Sequence, residues 1–169
     1  MNEDYYKGLG KIYFKKIIKE IIKIGELKTS EKKILDYGCG FKYLEKTLKR
    51  KILNYDIEQD HTEIKKIDNY QFDIIVLNHV LMYMSEEQIR ELFIKIKSLQ
   101  NNCEFIIGIG RMSLINKLAS IISFNLNAHV GTKTSPDIQI KIMLEYLEII
   151  RKKSIFFMTD VYYLKFKKD

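Results

Sequence analysis

Between positions 11 and 24 the apolar residues Phe14, Ile17, Ile18, Ile21 and Ile22 recur every three or four residues, with lysines between them. That period predicts an amphipathic helix with one face for a core. A basic helix of this kind also suits a membrane or a phosphate backbone, although packing on a sheet is its commoner use. The pattern then shortens. Apolar runs at 33–36, 52–56, 72–77 and 103–109 read as strands, and a helical stretch at 41–50 separates the first two. Strands alternating with helices imply a parallel sheet. Positions 57–71 leave room for only a short further strand, expected near 63–67.

Two helix starts are written in capping chemistry. Ser85-Glu86-Glu87-Gln88 forms a capping box with acids in the first turn, and Ile89, Leu92, Phe93, Ile96 and Leu99 mark the expected buried stripe. Ser135-Pro136 opens a second helix, continued by 138–147, with a capping serine and proline at the first helical position. The tail turns β-prone. Ile149-Ile150 and 154–157 lead through a turn expected at Thr159-Asp160 into 161–166, a terminal antiparallel hairpin.

A chain of 169 residues with 46% hydrophobic content fits one domain with a sizeable core. The expected organisation is a single domain over 1–169, with an N-terminal helix in 1–30 and a candidate substrate lid at 111–135. Cys39 and Cys103 have neither disulfide nor zinc spacing, so no metal site is read and a reducing, cytoplasmic setting is expected. No signal sequence or membrane span is read. The net charge of +7 permits nucleic acid as a partner, but the lysines are spread along the whole chain.

The chemistry concentrates where the first strand breaks. Ile34-Leu35-Asp36-Tyr37-Gly38-Cys39-Gly40 runs from a strand into a paired-glycine turn, and the next strand also ends in an acid, Asp56. An acid at that offset is where doubly wound folds grip a ribose. A dinucleotide site would need a third glycine at 43, which is Tyr43. The register of Asp36, Gly38 and Gly40 instead resembles motif I of the class I S-adenosylmethionine-dependent methyltransferases, of the small type 11-like kind. The family's third glycine falls on Lys42.

The resemblance implies an α/β, Rossmann-like doubly wound fold in three layers, its mostly parallel sheet ending in a C-terminal antiparallel hairpin. It implies S-adenosylmethionine as cofactor, with Asp36, Tyr37, Gly38, Gly40, Asp56, Ile57 and Asn78 binding it. Asp56 would take the ribose hydroxyls, with Glu58 as substitute, and Asp68 or Ile67 would meet the adenine. Asn78 would bind the cofactor's amino group. His79, Tyr83 and His129 are the candidate catalytic residues facing a small-molecule acceptor, Arg111 could recognise an anionic substrate, and Tyr5, Tyr6 and Tyr13 could close over a ligand. The stretch after Asn78 lacks the Pro-Pro-aromatic signature of base-amine methyltransferases, and neither cysteine sits where a pyrimidine C5 nucleophile would. A tRNA or protein methyltransferase, or a non-catalytic cofactor-binding or partner subunit, is the alternative.

Overall fold

The alternation of buried positions along the strands sorts the apolar side chains onto two faces of one sheet. In this computed structural model, which describes residues 8–58, 60–111 and 131–168, β1 (Ile34–Tyr37), β2 (Leu53–Tyr55), β3 (Ile74–Asn78) and β4 (Glu104–Gly110) run parallel. β5 (Leu147–Ile155) and β6 (Thr159–Phe166) form the antiparallel hairpin, and β6 also pairs antiparallel with β4. The sheet order is β2-β1-β3-β4-β6-β5. Ile34, Ile74, Val76, Ile106 and Val161 face one side; their neighbours Leu35, Ile75, Leu77, Phe105, Ile107 and Tyr162 face the other.

Each face is covered by helices. α1 (Gly8–Ile24) lays Ile17 and Ile21, both fully buried, on the first face together with Leu44 and Leu48 of α2 (Tyr43–Leu48). The helical period read from the sequence therefore has the sheet as its partner, at about 1.5–3 kcal/mol for each such side chain removed from water. α3 (Glu86–Leu99) and α4 (Pro136–Tyr146) cover the second face with Ile89, Phe93, Ile96, Ile142 and Met143. Ser85 and Gln88 close the expected capping box, and Ser135 caps α4 by accepting from the Ile138 amide. The result is three layers, helices, sheet and helices.

Three expectations need correction. No strand forms at 63–67: the Glu63 amide donates to the Asn54 carbonyl at 2.9 Å, Ile64 and Ile67 turn into the core, and a 3₁₀ turn follows at Ile67–Asn69. The sheet thus ends at β2. Leu99 is 39% exposed because α3 finishes there. Thr159-Asp160 is not the hairpin turn but the start of β6; Met158 closes the turn by donating to the Ile155 carbonyl at 2.9 Å. Among the described residues, no helix is long and apolar enough to cross a membrane.

Candidate active site

β1 lies between β2 and β3, so the chain leaves β1 in opposite directions along the sheet. Such a switch point opens a crevice beyond the carboxyl ends of the strands, and ligands of open α/β sheets bind there. The Asp36–Lys42 turn, Asp56, and the Asn78–Tyr83 segment all meet at that end.

The turn after β1 is built from left-handed backbone. Gly38, Gly40 and Lys42 have φ of 79°, 46° and 58°. A Cβ on Gly38 would stand 2.4 Å from Val80 Cγ2, so the bare glycine face is filled by a side chain from beyond β3. The carbonyl of Tyr55 accepts from the amides of Gly38 at 2.7 Å and Cys39 at 3.1 Å. These bonds lock the turn against β2.

Asp56 completes the lock. Its carboxylate, 9% exposed, accepts from the Gly40 amide at 2.8 Å and from the Glu58 amide at 3.1 Å. Each oxygen keeps a second lone pair for another donor. Beside it Ile57 is 84% exposed, an apolar side chain at the rim of the crevice. Glu58, the substitute acid, instead pairs with His61 at 3.2 Å.

Lys42 occupies the third glycine position in the conformation a glycine would take, at a cost of about 1–2 kcal/mol for a residue with a Cβ. Its ammonium is drawn to Glu63 at 2.8 Å, toward the β2 edge, and Lys51 joins the same carboxylate at 2.7 Å. Those two lysines hold Glu63 down at about 2. The ring of Phe41 packs on His61, with centroids 5.0 Å apart. Lys42→Gly is expected to raise stability by about 1 kcal/mol, because the relieved backbone outweighs a partly exposed ion pair whose acid keeps Lys51. A lower melting temperature than wild type would show the reverse.

Electrostatics single out Asp36. It is 5% exposed on β1, and burial, followed by the nearby carboxylates of Asp56 and Glu45, raises it to about 7. Tyr37 packs its ring on Tyr55 at 4.7 Å, and burial pushes its hydroxyl well above the ordinary range. Burial also raises the Cys39 and Cys103 thiols to about 12, so neither is a thiolate near neutrality.

On the other side of the switch point, Asn78 Oδ1 is shut off from solvent with no hydrogen-bond donor among the described residues, and it lies against Gly108. Asn54 Oδ1, on β2, is in the same state. His79 has φ 58° at the tip of β3, its amide donates to the Gly108 carbonyl at 3.0 Å, and its Nε2 shares a hydrogen bond with Thr159 Oγ1 at 3.2 Å. The Tyr13 hydroxyl bonds the same Thr159 oxygen. Tyr13, Thr159 and His79 therefore form one chain of contacts joining α1, β6 and β3. Thr159 carried no signal in the sequence, where it read as a turn residue. Tyr83 is 46% exposed on a 3₁₀ turn.

Some expected site residues lie elsewhere. Ile67 is a core residue, and Asp68 pairs with Lys95 of α3 at 2.6 Å. The Arg111 guanidinium is held by Asp160 at 2.7 Å and donates to Ser154 at 2.9 Å, which ties it to the hairpin. His129, Tyr5, Tyr6 and most of 111–135 fall outside the described residues. Of that stretch, Thr134 Oγ1 donates to the Leu81 carbonyl at 3.1 Å and the Lys133 amide to Met82 at 2.7 Å, which seats its end against the Asn78–Tyr83 segment. Among the described residues no cluster of His, Cys, Asp or Glu could hold a metal ion.

The fold is that of the class I methyltransferases. The chain superimposes on the PH0226 protein from Pyrococcus horikoshii OT3 with a TM-score of 0.67 at 13% identity, covering 99% of this chain and 100% of that one. It matches magnesium protoporphyrin IX methyltransferase (ChlM) from Synechocystis PCC 6803, solved with bound SAH, with a TM-score of 0.63 at 12% identity over 97% and 91% of the two chains. For the N-methyltransferase NodS from Bradyrhizobium japonicum WM9, also in complex with SAH, the TM-score is 0.63 at 15% identity over 92% and 88%. No protein-family model matches the sequence. No curated protein matches it either.

Proposed function

We propose that this chain, acting as one domain, is a methyltransferase that binds S-adenosylmethionine across the β1/β3 switch point and methylates a small-molecule acceptor. The observation that carries the reading is Asn78 Oδ1, a buried acceptor without a donor at the tip of β3. Leaving such a group unpaired costs about 1–3 kcal/mol, and once the Asn78 amide turns from Gly108 toward the crevice a ligand ammonium would supply the missing donor. The rest of the crevice has matching chemistry: Asp56 offers lone pairs to a ribose diol, and exposed Ile57 offers an apolar surface to an adenine. Two of the three solved proteins named above hold SAH on the same fold.

When bound, S-adenosylmethionine supplies a methyl group on sulfonium that is already a strong electrophile. The protein's share is alignment, which for in-line displacement is worth about 7–11 kcal/mol. Asp56, fixed by the Gly40 amide, sets where the ribose rests; Asn78 and Asp36 hold the amino group; Tyr37, Gly38 and Gly40 present backbone. His79 and Tyr83 face the acceptor, with His79 oriented by Thr159.

Calorimetric titration with S-adenosylmethionine tests this, and Asp36 gives it a signature. Because Asp36 is raised to about 7 in the free chain, it is largely protonated at pH 6. A ligand ammonium favours the carboxylate, so binding should release a proton, and affinity should rise as pH increases to about 7 and level off above. In Asp36→Asn the proton release should vanish. No heat and no thermal shift at millimolar ligand would remove the reading; binding without methyl transfer to any acceptor would leave a cofactor-binding module.

A further inference from the structure

The β5–β6 hairpin turns through Phe156, Phe157 and Met158, and its first two residues have φ of 49° and 56°. This is the mirror-image turn that asparagine and glycine adopt easily and phenylalanine does not. The rings do not compensate by packing inward, since they are 56% and 69% exposed. A strained backbone that displays two bare phenyl groups to solvent points to a use outside the fold. Because Thr159 pairs with Gly110, the tip projects from the end of the sheet that carries the candidate active site.

The surroundings are cationic. Lys16 and Lys23 of α1 and Lys153 of β5 line a groove of about 290 Å³ that ends at Phe156; Glu20, also on it, is paired with Lys16 at 3.1 Å. One turn before Lys16, Ile12 is 62% exposed on the same helix. Apolar prongs beside lysines of a protein with net charge +7 are complementary to a surface that is apolar beneath and anionic on top. A nucleic-acid strand would use the faces of aromatic rings, but Ile12 has none to offer.

We propose that the hairpin tip docks this protein onto an anionic lipid surface, with Phe156 and Phe157 entering the acyl boundary and the lysines meeting the headgroups. Such docking is peripheral, since the inner face of α1 stays on the sheet. It turns the carboxyl ends of β1 to β4 toward the bilayer. The proposal does not depend on methyl transfer.

Flotation of the full chain with phosphatidylcholine vesicles, with or without phosphatidylglycerol as about a third of the lipid, is the test. Wild type should float with the anionic vesicles, and less so as salt rises. Phe156→Asn/Phe157→Gly gives the turn its preferred residues, so the variant should melt about 2–4 °C higher or more while vesicle affinity falls about a hundredfold. Should that variant fail to fold, Phe157→Ser replaces it in the same assay. Failure of wild type to float on anionic vesicles, or flotation of a folded variant as strong as wild type, overturns the proposal. Retention on single-stranded RNA in place of vesicles, lost in the same variant, would overturn it in favour of a nucleic-acid contact.

Discussion

Asp56→Ala is expected to abolish the thermal shift given by S-adenosylmethionine and to lower the melting temperature of the free chain as well. The two effects have separate causes. In the free chain the carboxylate satisfies the amides of Gly40 and Glu58, so its removal strands a buried donor in the glycine turn, at about 1–3 kcal/mol. In the complex the same oxygens would accept two ribose hydroxyls, and charge-assisted hydrogen bonds of about 1.5–3 kcal/mol each put the loss of affinity near a thousandfold. Asp56→Asn keeps one acceptor oxygen and should fall between. Thermal melts with and without ligand, together with calorimetry, separate the terms. A variant that melts early yet binds with wild-type affinity would leave Asp56 a purely structural brace and defeat the ribose assignment.

What made Asp56 legible in the sequence also explains what was not. The glycine turn and the acid after β2 are readable because they answer local demands: left-handed φ at Gly38 and Gly40, and a strand end facing a crevice. α3 and α4 are readable for the same reason, because a capping serine and its partner lie within one helical turn. The expected strand at 63–67 failed where an edge was at stake. Its apolar residues, Ile64 and Ile67, serve the core from an irregular loop as well as they would from a strand. Thr159-Asp160 carries turn-forming residues yet opens β6, whereas the chain turns at 156–158, where the β propensity of Phe156 and Phe157 argues for continuation.

Partners far apart in the chain leave no such mark. Thr159 meets Tyr13 across 146 residues and His79 across 80, and Arg111 reaches Asp160 across 49. No local pattern encodes these pairings; they exist because β6 inserts antiparallel beside β4 and delivers its first residues to the tips of β3 and β4. Asp160 is the clearest case. It is 4% exposed and collects Arg111, Lys152 and Ser154, whose hydrogen bonds outweigh burial and hold its carboxyl below the ordinary value. The electrostatics of the hairpin base thus follow from topology.

Gly38→Ala is expected to be strongly damaging, and the damage can be divided. One part is conformational, since φ of 79° costs a residue with a Cβ about 1–2 kcal/mol. The other is steric, since the new Cβ would stand 2.4 Å from Val80 Cγ2, an overlap of the kind that costs about 1–3 kcal/mol. Together they predict a melting temperature lowered by about 5–15 °C, with ligand binding lost because the turn that positions Gly40 against Asp56 is displaced. Val80→Ala removes the methyls that the Cβ strikes. In the double variant the steric part should therefore disappear while the conformational part remains, giving a favourable coupling of about 1–3 kcal/mol in the thermodynamic cycle. Strict additivity would mean that Val80 does not press on the turn. A Gly38→Ala chain as stable as wild type and still shifted by S-adenosylmethionine would mean that neither the left-handed turn nor its contact with Val80 shapes the crevice, and the placement of the cofactor beside β1 would fail with it.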